Sequence, residues 1–287
     1  MNKTQEMTTT KENIYKPYLM KVVGIRDETY DTRTLKLQFI DDAIRKNFTF
    51  KAGQFGEYSS FGQGECTFCI SSSPTRMDNI ECSFKLIGKV TAALRDAEIG
   101  DTIGFRGPYG NWFPLDMMKG KNLLFAGGGI GLAPLRSLIW NVLDTRKDFG
   151  KITILYGARS VSDLCFKDEL KIWEERPDVD TIYTVDPGGE TPDWPGKIGF
   201  VPTVLDQVAP SSENAVAITC GPPIMIKFTI PILEKLKFAP ENIVTTLENR
   251  MKCGIGKCGR CNIGSVYVCK DGPVFTYAQI KGMLNDM

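Results

Sequence analysis

Four cysteines near the C-terminal end of the chain stand close enough together to bind a metal. They follow the spacing C-x4-C-x2-C-x7-C and are Cys253, Cys258, Cys261 and Cys269. The first three match the ligand run of plant-type [2Fe-2S] clusters. A structural zinc site usually pairs two C-x2-C knuckles, and only Cys258 and Cys261 form one here. The spacing therefore predicts an iron-sulfur cluster, with zinc and disulfide bonds as the alternatives.

Glycines between these cysteines favour the cluster over zinc. They are Gly254, Gly256, Gly259 and Gly264. Glycine adopts positive φ and lets the backbone come close to bound sulfide, so that amide N–H groups can point at a negatively charged cluster. A structural zinc site has less need of such a backbone. An iron-sulfur cluster carries electrons, so we expect the rest of the chain to supply a redox partner for it.

The chain contains no histidine among its 287 residues. This excludes Rieske ligation, histidine-bound zinc and the most common general base, whereas hydride and electron transfer need no imidazole. The N-terminal stretch lacks the apolar core of a signal peptide, so we expect a cytoplasmic protein. Nine cysteines in a reducing compartment are more often ligands, buried thiols or catalytic groups than disulfides, which agrees with the cluster.

A glycine-rich stretch, "AGGGIGLAP" at 126–134, lies between an apolar strand pattern and a helix pattern. Backbone amides and the positive end of the helix dipole could hold a pyrophosphate at this junction. The stretch does not satisfy G-x-G-x-x-G, so a plain tight turn is the alternative. The helix pattern places five apolar residues on one face at 3.6-residue spacing. These residues are Leu135, Leu138, Ile139, Val142 and Leu143.

The next predicted strand lacks, at its end, the acidic residue with which a Rossmann site binds the ribose of NAD. Arg159 and Ser160 stand there instead, in "YGARS". They could receive the 2′-phosphate of NADP, but a solvated arginine at a strand end fits equally well. The choice between NAD and NADP therefore stays open.

Two stretches in the first part of the chain also carry groups that could bind a cofactor. "GECTFCISSSP" at 64–74 joins the aromatic Phe68 to a row of hydroxyls and thiols. "KLIGKVTAAL" at 85–94 offers Gly88, Lys89 and Thr91 at the head of a short helix. A serine row before proline is often only a turn, so neither stretch decides the function alone.

The elements around these motifs divide the chain into parts. Residues 1–16 are polar and predict a flexible leader or partner-contacting arm. Residues 17–118 show two-residue alternation, typical of a small antiparallel β barrel or sandwich. Residues 119–247 alternate strands such as "ITILYGA", "TIYTV" and "AVAITCG" with helix patterns, which predicts a parallel α/β sheet. The cysteine segment at 248–287 comes last.

The overall composition excludes several classes of partner. The chain is 42% hydrophobic and 24% charged, with a net charge of +1. These values are ordinary for a globular protein with two domains. So balanced a charge gives no reason to expect nucleic acid or an anionic membrane surface as a partner, and we expect no membrane insertion.

The motifs together resemble the ferredoxin-NADP reductase superfamily, whose members pair a flavin-binding β barrel with a nicotinamide-binding α/β domain. "GKVT", "RGPYGN", "AGGGIGLAP", "CGPPIM" and "MKCGIGKCGRCNIG" occur in the superfamily's order. The last is similar to the branch of the sulfhydrogenase gamma subunit and the corresponding subunit of anaerobic sulfite reductase. The electron-transfer subunit of dihydroorotate dehydrogenase is a more distant likeness. The resemblance implies an FAD, a [2Fe-2S] cluster, NAD(P)H and a partner subunit.

The resemblance also implies residue roles. Phe68 takes the place of the flavin-stacking tyrosine, and Cys69 that of the serine beside flavin N5. Cys220, in "CGPP", matches the thiol near the nicotinamide ring, so Cys220 and Cys69 are the candidate catalytic residues. The other implied cofactor-binding residues are Ile70, Ser71, Lys85, Gly88, Lys89, Val90 and Thr91 for FAD, and Gly127, Gly128, Gly129, Ile130, Gly131, Pro134, Arg159 and Gly221 for the dinucleotide.

One departure from the family pattern concerns FAD. In the superfamily's R-x-Y-S pattern the arginine binds FAD phosphate, and Cys66 occupies that place here. Lys89 is the residue that could compensate. Cys66 and Cys69 also form a C-x-x-C, for which a redox disulfide or an extra metal site is the alternative to a flavin contact.

These observations predict a diaphorase subunit that passes electrons between NAD(P)H, FAD and a [2Fe-2S] cluster, to or from a partner. The partner is the iron-sulfur or catalytic subunit of a larger complex, such as a hydrogenase, sulfite reductase or heterodisulfide reductase. The rival hypothesis is a zinc-stapled nucleotide-binding protein with a regulatory or assembly role and no redox activity. Neither the terminal substrate nor the direction of electron flow is encoded in the motifs.

Overall fold

Six antiparallel strands form one sheet in the first part of this computed structural model, which describes residues 13–283. They are β1 (Tyr18–Asp27), β2 (Thr32–Phe39), β3 (Phe55–Ser60), β4 (Gly64–Cys69), β5 (Ile80–Lys85) and β6 (Thr102–Tyr109), with the short helices α1 (Asp42–Asn47) and α2 (Lys89–Arg95) between them. Their order is β4-β3-β6-β1-β2-β5. Phe68 of one edge strand stacks on Phe84 of the other, with ring centroids 5.3 Å apart, so the sheet curls into a barrel.

Residue alternation explains this barrel. Leu35 and Leu37 on β2 are buried together with Ile80 and Phe84 on β5, while Lys36 between the two leucines is exposed. Each strand therefore presents one apolar face to the interior. The predicted antiparallel β barrel is confirmed.

A second sheet contains six parallel strands in the order β10-β9-β8-β7-β11-β12. The strands are β7 (Asn122–Gly128), β8 (Ile152–Ala158), β9 (Asp180–Val185), β10 (Lys197–Ile198), β11 (Ala215–Cys220) and β12 (Ile243–Thr246). The helices are α3 (Leu115–Met118), α4 (Leu132–Asp144), α5 (Lys167–Glu174), α6 (Val201–Val208) and α7 (Pro223–Lys235). The predicted face of α4 is buried throughout. The parallel α/β prediction is confirmed.

The cysteine segment folds onto the edge of this second sheet. It contains β13 (Asn262–Ile263), β14 (Val266–Tyr267), α8 (Val268–Asp271), β15 (Val274–Thr276) and α9 (Tyr277–Ile280). Strand β15 pairs antiparallel with β12, so that Val244 lies opposite Thr276 and Thr246 opposite Val274. The sequence analysis did not anticipate this seventh strand, which ties the segment to the nucleotide sheet.

Buried charged groups join the barrel to the parallel sheet. Arg136 on α4 donates from Nη1 to the carbonyl oxygen of Ser71 at 2.8 Å, and its Nη2 lies 2.6 Å from Glu169. Glu28, in the turn after β1, accepts the backbone N–H of Phe166 at 2.8 Å. These contacts hold the two sheets in a defined arrangement around the crevice between them.

The predicted leader at 1–16 lies outside the described residues except for a single turn at 13–16. The predicted domain boundaries, after residues 118 and 247, stay predictions. Between residues 13 and 283, no helix has both the length and the apolar character needed to cross a membrane.

Candidate functional site

A large cavity lies beyond the carboxyl ends of the parallel strands, at the point beside β7 where the strand order reverses. Its volume is about 1090 Å³. Lys85 of the barrel reaches it, and the Lys85 ammonium lies 2.9 Å from Asp31. Gly127 and Cys220 lie within the strands that end at the cavity, and Pro134 lies in the first turn of α4. The other residues that the sequence placed in a dinucleotide site all line it, namely Gly128, Gly129, Ile130, Gly131, Arg159 and Gly221.

Glycine is required in this loop because the chain after β7 touches the chain after β11. A Cβ on Gly131 would lie 2.6 Å from the carbonyl oxygen of Cys220 and from Cα of Gly221. Gly129 has a φ of +54° and open space beside it. The backbone therefore lies bare at the cavity, at the start of a 13-residue helix, where it fits a bound pyrophosphate.

One basic and two acidic side chains line this cavity beyond the ends of β8 and β9. Arg159 follows β8, Asp186 follows β9, and Asp163 lies between them in sequence. Burial raises the pKa of Asp186. The positive charge of Arg159 opposes this increase, and the negative charge of Asp163 adds to it. The hydroxyl of Ser160 donates to Asp163 at 2.8 Å and is therefore already engaged. The sequence analysis missed Asp186 because it sought an acid after β8 and not after β9.

Two thiols approach each other from the two sheets. Cys69 ends β4 and Cys220 ends β11, and burial raises the pKa of both thiols well above the usual value. The carboxylate of Glu248 raises both pKa values further, and Cys69 acts on Cys220 in the same way. Thr246 donates from Oγ1 to the sulfur of Cys220 at 2.9 Å. The two thiols are therefore neutral at pH 7 and act as uncharged contacts.

Glu248 is a site residue that the sequence analysis missed. It lines the cavity and follows directly after the strand region that includes Thr246. Its side chain is open to the cavity while protein surrounds its other sides, and this burial raises its pKa. No motif marks it, and only the fold brings it beside the two thiols.

The predicted flavin-binding residues on β4 and just after it have different environments. Phe68 is partly exposed, and one face of its ring is covered by Phe84. Ile70 and Ser71 are fully buried, and their N–H groups donate to the carbonyls of Gln54 and Glu81. Phe68 therefore remains available to a cofactor, whereas the side chains of Ile70 and Ser71 are enclosed by the protein.

The loop around Gly88, which the resemblance assigns to FAD, leads into helix α2. The hydroxyl of Thr91 accepts the N–H groups of Gly88 at 2.8 Å and Ile87 at 3.0 Å, and donates to the carbonyl of Gly88 at 2.8 Å. Thr91 therefore shapes the loop and has no hydroxyl proton left for a ligand. Lys89 is exposed and forms no ion pair in the described part of the chain, while Val90 packs beside β4. Lys89 fits the role of the cation beside a phosphate.

Cys66 and Cys69 do not face each other. They lie three residues apart on β4, and residues with this separation point to opposite faces of a strand. Cys66 pairs with Tyr58 and Cys69 with Phe55 on β3. This geometry opposes a disulfide between them and agrees with separate roles for the two thiols.

The four cysteines predicted as ligands lie together in the loop between β12 and β15, in two pairs. The N–H of Cys258 donates to Cys253 Sγ at 3.4 Å, and Cys261 Sγ lies 3.3 Å from Cys269 Sγ. Within residues 13–283, no three cysteine or acidic side chains converge on one point as ligands of a single ion would. A donor set of two cysteine pairs fits a two-iron cluster, in which each iron takes two thiolates, better than it fits zinc.

Backbone amides point at these sulfurs. Gly256 donates to Cys269 Sγ at 3.1 Å and Lys257 to Cys253 Sγ at 3.3 Å. Burial acts to raise the pKa of Cys253, but the N–H groups that point at its sulfur outweigh burial and lower the pKa to about 6. The expected backbone is present, since φ is positive at Gly254, Gly256, Gly259 and Gly264. The amides of the loop therefore favour the thiolate at Cys253, whereas burial raises the pKa of Cys269 to about 12.

The cluster loop rests on the outer face of the barrel. A Cβ on Gly254 would lie 2.6 Å from the ring of Tyr109 and 3.3 Å from Glu57 Oε1, so only glycine fits. Arg106 donates from Nη1 to the carbonyl of Cys253 at 3.4 Å. Burial raises the pKa of Glu57 to about 7. The sequence gives no signal for Glu57, which looks like an ordinary polar position on an alternating strand, whereas Arg106 begins the motif "RGPYGN" without any indication that it contacts the cysteine loop.

Two family models match the chain. Residues 125–230 match the oxidoreductase NAD-binding domain, which covers the cavity loop and strands β8 to β11. Residues 248–281 match the iron-sulfur cluster binding domain of dihydroorotate dehydrogenase B, which covers the four cysteines. The second match distinguishes the iron-sulfur hypothesis from the zinc alternative.

Curated relatives cover almost the whole chain. The sulfhydrogenase 2 subunit gamma of Pyrococcus furiosus is 40% identical over 92% of this chain and 96% of its own length. A probable dihydroorotate dehydrogenase B electron transfer subunit of Thermococcus kodakarensis is 32% identical over 84% of this chain and 91% of its own. Among solved structures, an NADH-dependent reduced ferredoxin-NADP oxidoreductase has a TM-score of 0.72 and 22% identity, with 93% of each chain covered. Because this solved structure is only 22% identical to the chain, the similarity shows a shared fold and nothing more.

Proposed function

The chain belongs to the family of sulfhydrogenase gamma subunits and dihydroorotate dehydrogenase electron-transfer subunits, and from this we propose that it is the diaphorase subunit of a larger oxidoreductase. It exchanges electrons between NAD(P)H and a partner subunit and binds FAD and a [2Fe-2S] cluster. It works in the cytoplasm. A zinc-stapled protein without redox activity is not supported, because the cysteine segment matches an iron-sulfur family.

One observation carries this proposal: residues from three segments meet at one place. Cys69 comes from the barrel, Cys220 from the nucleotide sheet, and Glu248 from the start of the cysteine segment. A flavin held at this meeting point would lie between the dinucleotide cavity and the segment that carries the four cysteines, where it could exchange electrons with both. A regulatory nucleotide site would have no use for this convergence.

The residues of the chain bind and orient the reacting groups. The bare backbone at 128–131 and Gly221 holds the dinucleotide, and the ring of Phe68 offers a stacking surface beside Cys69. The neutral thiols of Cys69 and Cys220 exclude water without adding charge. Bound FAD supplies hydride exchange with nicotinamide and single-electron exchange with an iron-sulfur cluster. No described side chain has to move a proton as a histidine would.

The experiment that tests this proposal is an optical spectrum of anaerobically purified protein, combined with iron, zinc and flavin analysis. We expect flavin bands, two irons per chain and NAD(P)H-dependent reduction of an artificial dye. A colourless protein that contains zinc and no flavin would contradict the proposal. The proteins that co-purify with the chain identify the terminal reaction, which the chain itself does not specify.

A further inference from the structure

Each of the four ligand cysteines has a basic residue next to it in sequence. Lys252 precedes Cys253, Lys257 precedes Cys258, Arg260 precedes Cys261, and Lys270 follows Cys269. All four basic side chains are exposed. We call Lys252, Lys257, Arg260 and Lys270 the basic collar. The net charge of the chain is only +1, so this concentration of positive charge is local.

The basic collar has no acidic partner in the part of the chain that the structure describes. None of its four members takes part in an ion pair between residues 13 and 283, although many other lysines and arginines do. The stem of Lys270 packs against Gly256, which holds it beside the loop. The neighbouring acid, Asp271, is engaged by the N–H of Tyr267 at 2.7 Å. These cations are therefore available to an acidic group outside the chain.

The exposed edge of the cluster loop lies within this collar. Cys261 and Cys269 are 1% and 2% exposed, whereas Cys258 faces solvent and no atom comes within 4 Å of the Cβ position of Gly259. Lys257 and Arg260 flank this open edge. Electrons leave a protein most readily where its redox group is nearest the surface, so the collar surrounds the point of exit.

We propose that the basic collar is a docking surface for an acidic protein surface that surrounds a one-electron redox centre. This inference rests on the proposed function and adds to it the charge of the partner. The alternative use of the collar, to balance the charge of the bound thiolates, is already served by the backbone amides of Gly256 and Lys257. An exposed cation attracts an acidic group only weakly through water. The attraction is stronger across a protein interface from which water is excluded.

The test compares two variants of the cluster-loaded protein that lose the same charge. K257Q/R260Q removes half of the collar, and K46Q/K171Q removes two exposed lysines that form no ion pair within residues 13–283 and lie far from the cysteine segment in sequence. The probes are an acidic plant-type [2Fe-2S] ferredoxin and the basic protein cytochrome c, with binding measured by calorimetry at about 50 and about 300 mM salt. We expect K257Q/R260Q to weaken ferredoxin binding about tenfold at low salt, and K46Q/K171Q less than about twofold.

Three results would overturn the docking proposal. The first is equal ferredoxin affinity for both variants. The second is wild-type binding to ferredoxin that does not change with salt, or wild-type binding to cytochrome c that is as strong as binding to ferredoxin. The third is stronger binding of the wild type to duplex DNA or to anionic vesicles than to ferredoxin. NADH-dependent reduction of a neutral quinone is measured in the same preparations. If the wild type does not reduce the quinone, the proposed function is contradicted. If the wild type reduces the quinone and any of the three results is found, only the docking surface is contradicted.

Discussion

Cys258 is the exposed member of the predicted ligand set, so a substitution there disturbs the packing of the fold least. We expect Cys258→Ser to remove or alter the cluster signal in visible circular dichroism and in electron paramagnetic resonance, while the flavin content stays unchanged. Cys66→Ser is the control, because Cys66 is also a free thiol that is not fully buried but lies on β4. Normal cluster spectra in the Cys258 variant would show that the ligand assignment is wrong.

We predict that Asp186 gives the nucleotide cavity a preference for NADH over NADPH. Its carboxylate and that of Asp163 offset the charge of Arg159, so a 2′-phosphate meets no net positive charge there. We expect Asp186→Ser to lower the KM for NADPH about tenfold, equivalent to about 1.4 kcal/mol. Asp206→Ser is the matched control, because Asp206 also lines the cavity but is paired with Lys235.

The measurement for this prediction is dye reduction with each nucleotide in turn. The KM for NADH should stay equal or rise in the Asp186 variant. An unchanged KM for NADPH would mean that another part of the cavity selects the nucleotide.

The raised pKa of Glu57 predicts that the free energy of unfolding depends on pH. Its pKa in the folded protein is about 7, above the ordinary value of 4.5, so the folded state binds more protons than the unfolded state between these pH values. The free energy of unfolding therefore falls as pH rises from about 4.5 to 7, by up to about 3 kcal/mol from this group.

The pH dependence that we expect from Glu57 is measured by urea unfolding of the wild type and of Glu57→Gln at pH 5 and pH 8. The stability of the wild type relative to the variant should decrease toward pH 8, because the glutamine cannot ionise. Glu98→Gln, at an exposed position, should show no such trend. A constant difference between wild type and the Glu57 variant would place the pKa of Glu57 near its ordinary value.

Among the elements, helix α4 joins the two sheets through one buried arginine. Arg136 lies 2.7 Å from Glu81 on β5 and 2.6 Å from Glu169 on α5. We expect Arg136→Met to lower the free energy of urea unfolding by about 3 kcal/mol, because two largely buried carboxylates lose their cation. Arg76→Met, which breaks a half-exposed pair with Asp144 between the same two sheets, should cost less than about 1 kcal/mol. Equal losses in the two variants would contradict a special role for Arg136.

The elements that sequence predicted are those with a strong local pattern. Alternation located β2 and β5, and the glycine run located the turn between β7 and α4, because each signal lies within a few residues. Strand β15 was missed because three residues carry no period, and its partner β12 lies about thirty residues earlier. The four cysteines were found because their spacing is a local signal. Glu248 and Asp186 were missed because their place in the site depends on long-range contacts that no motif encodes.

On the scale of the whole molecule, every described site serves the entry or relay of electrons. We expect the isolated chain to reduce artificial dyes with NAD(P)H but to perform no terminal reaction, because it has no histidine to move a proton. The measurement is dye reduction beside assays with hydrogen and sulfite. Turnover of either substrate by the pure chain would contradict this, as would a Cys261→Ser variant that still delivers electrons to the native partner.

The strand pairing on either side of the cysteine loop fixes the order in which the protein can be assembled. Because β12 and β15 pair in register, the sheet itself closes the loop, and its closure entropy is already lost before iron arrives. Small zinc domains differ, since in them metal binding and folding are one event. We therefore expect this chain to fold first and to receive its iron afterwards. We also expect that a cluster lost from this loop can be replaced while the subunit stays folded.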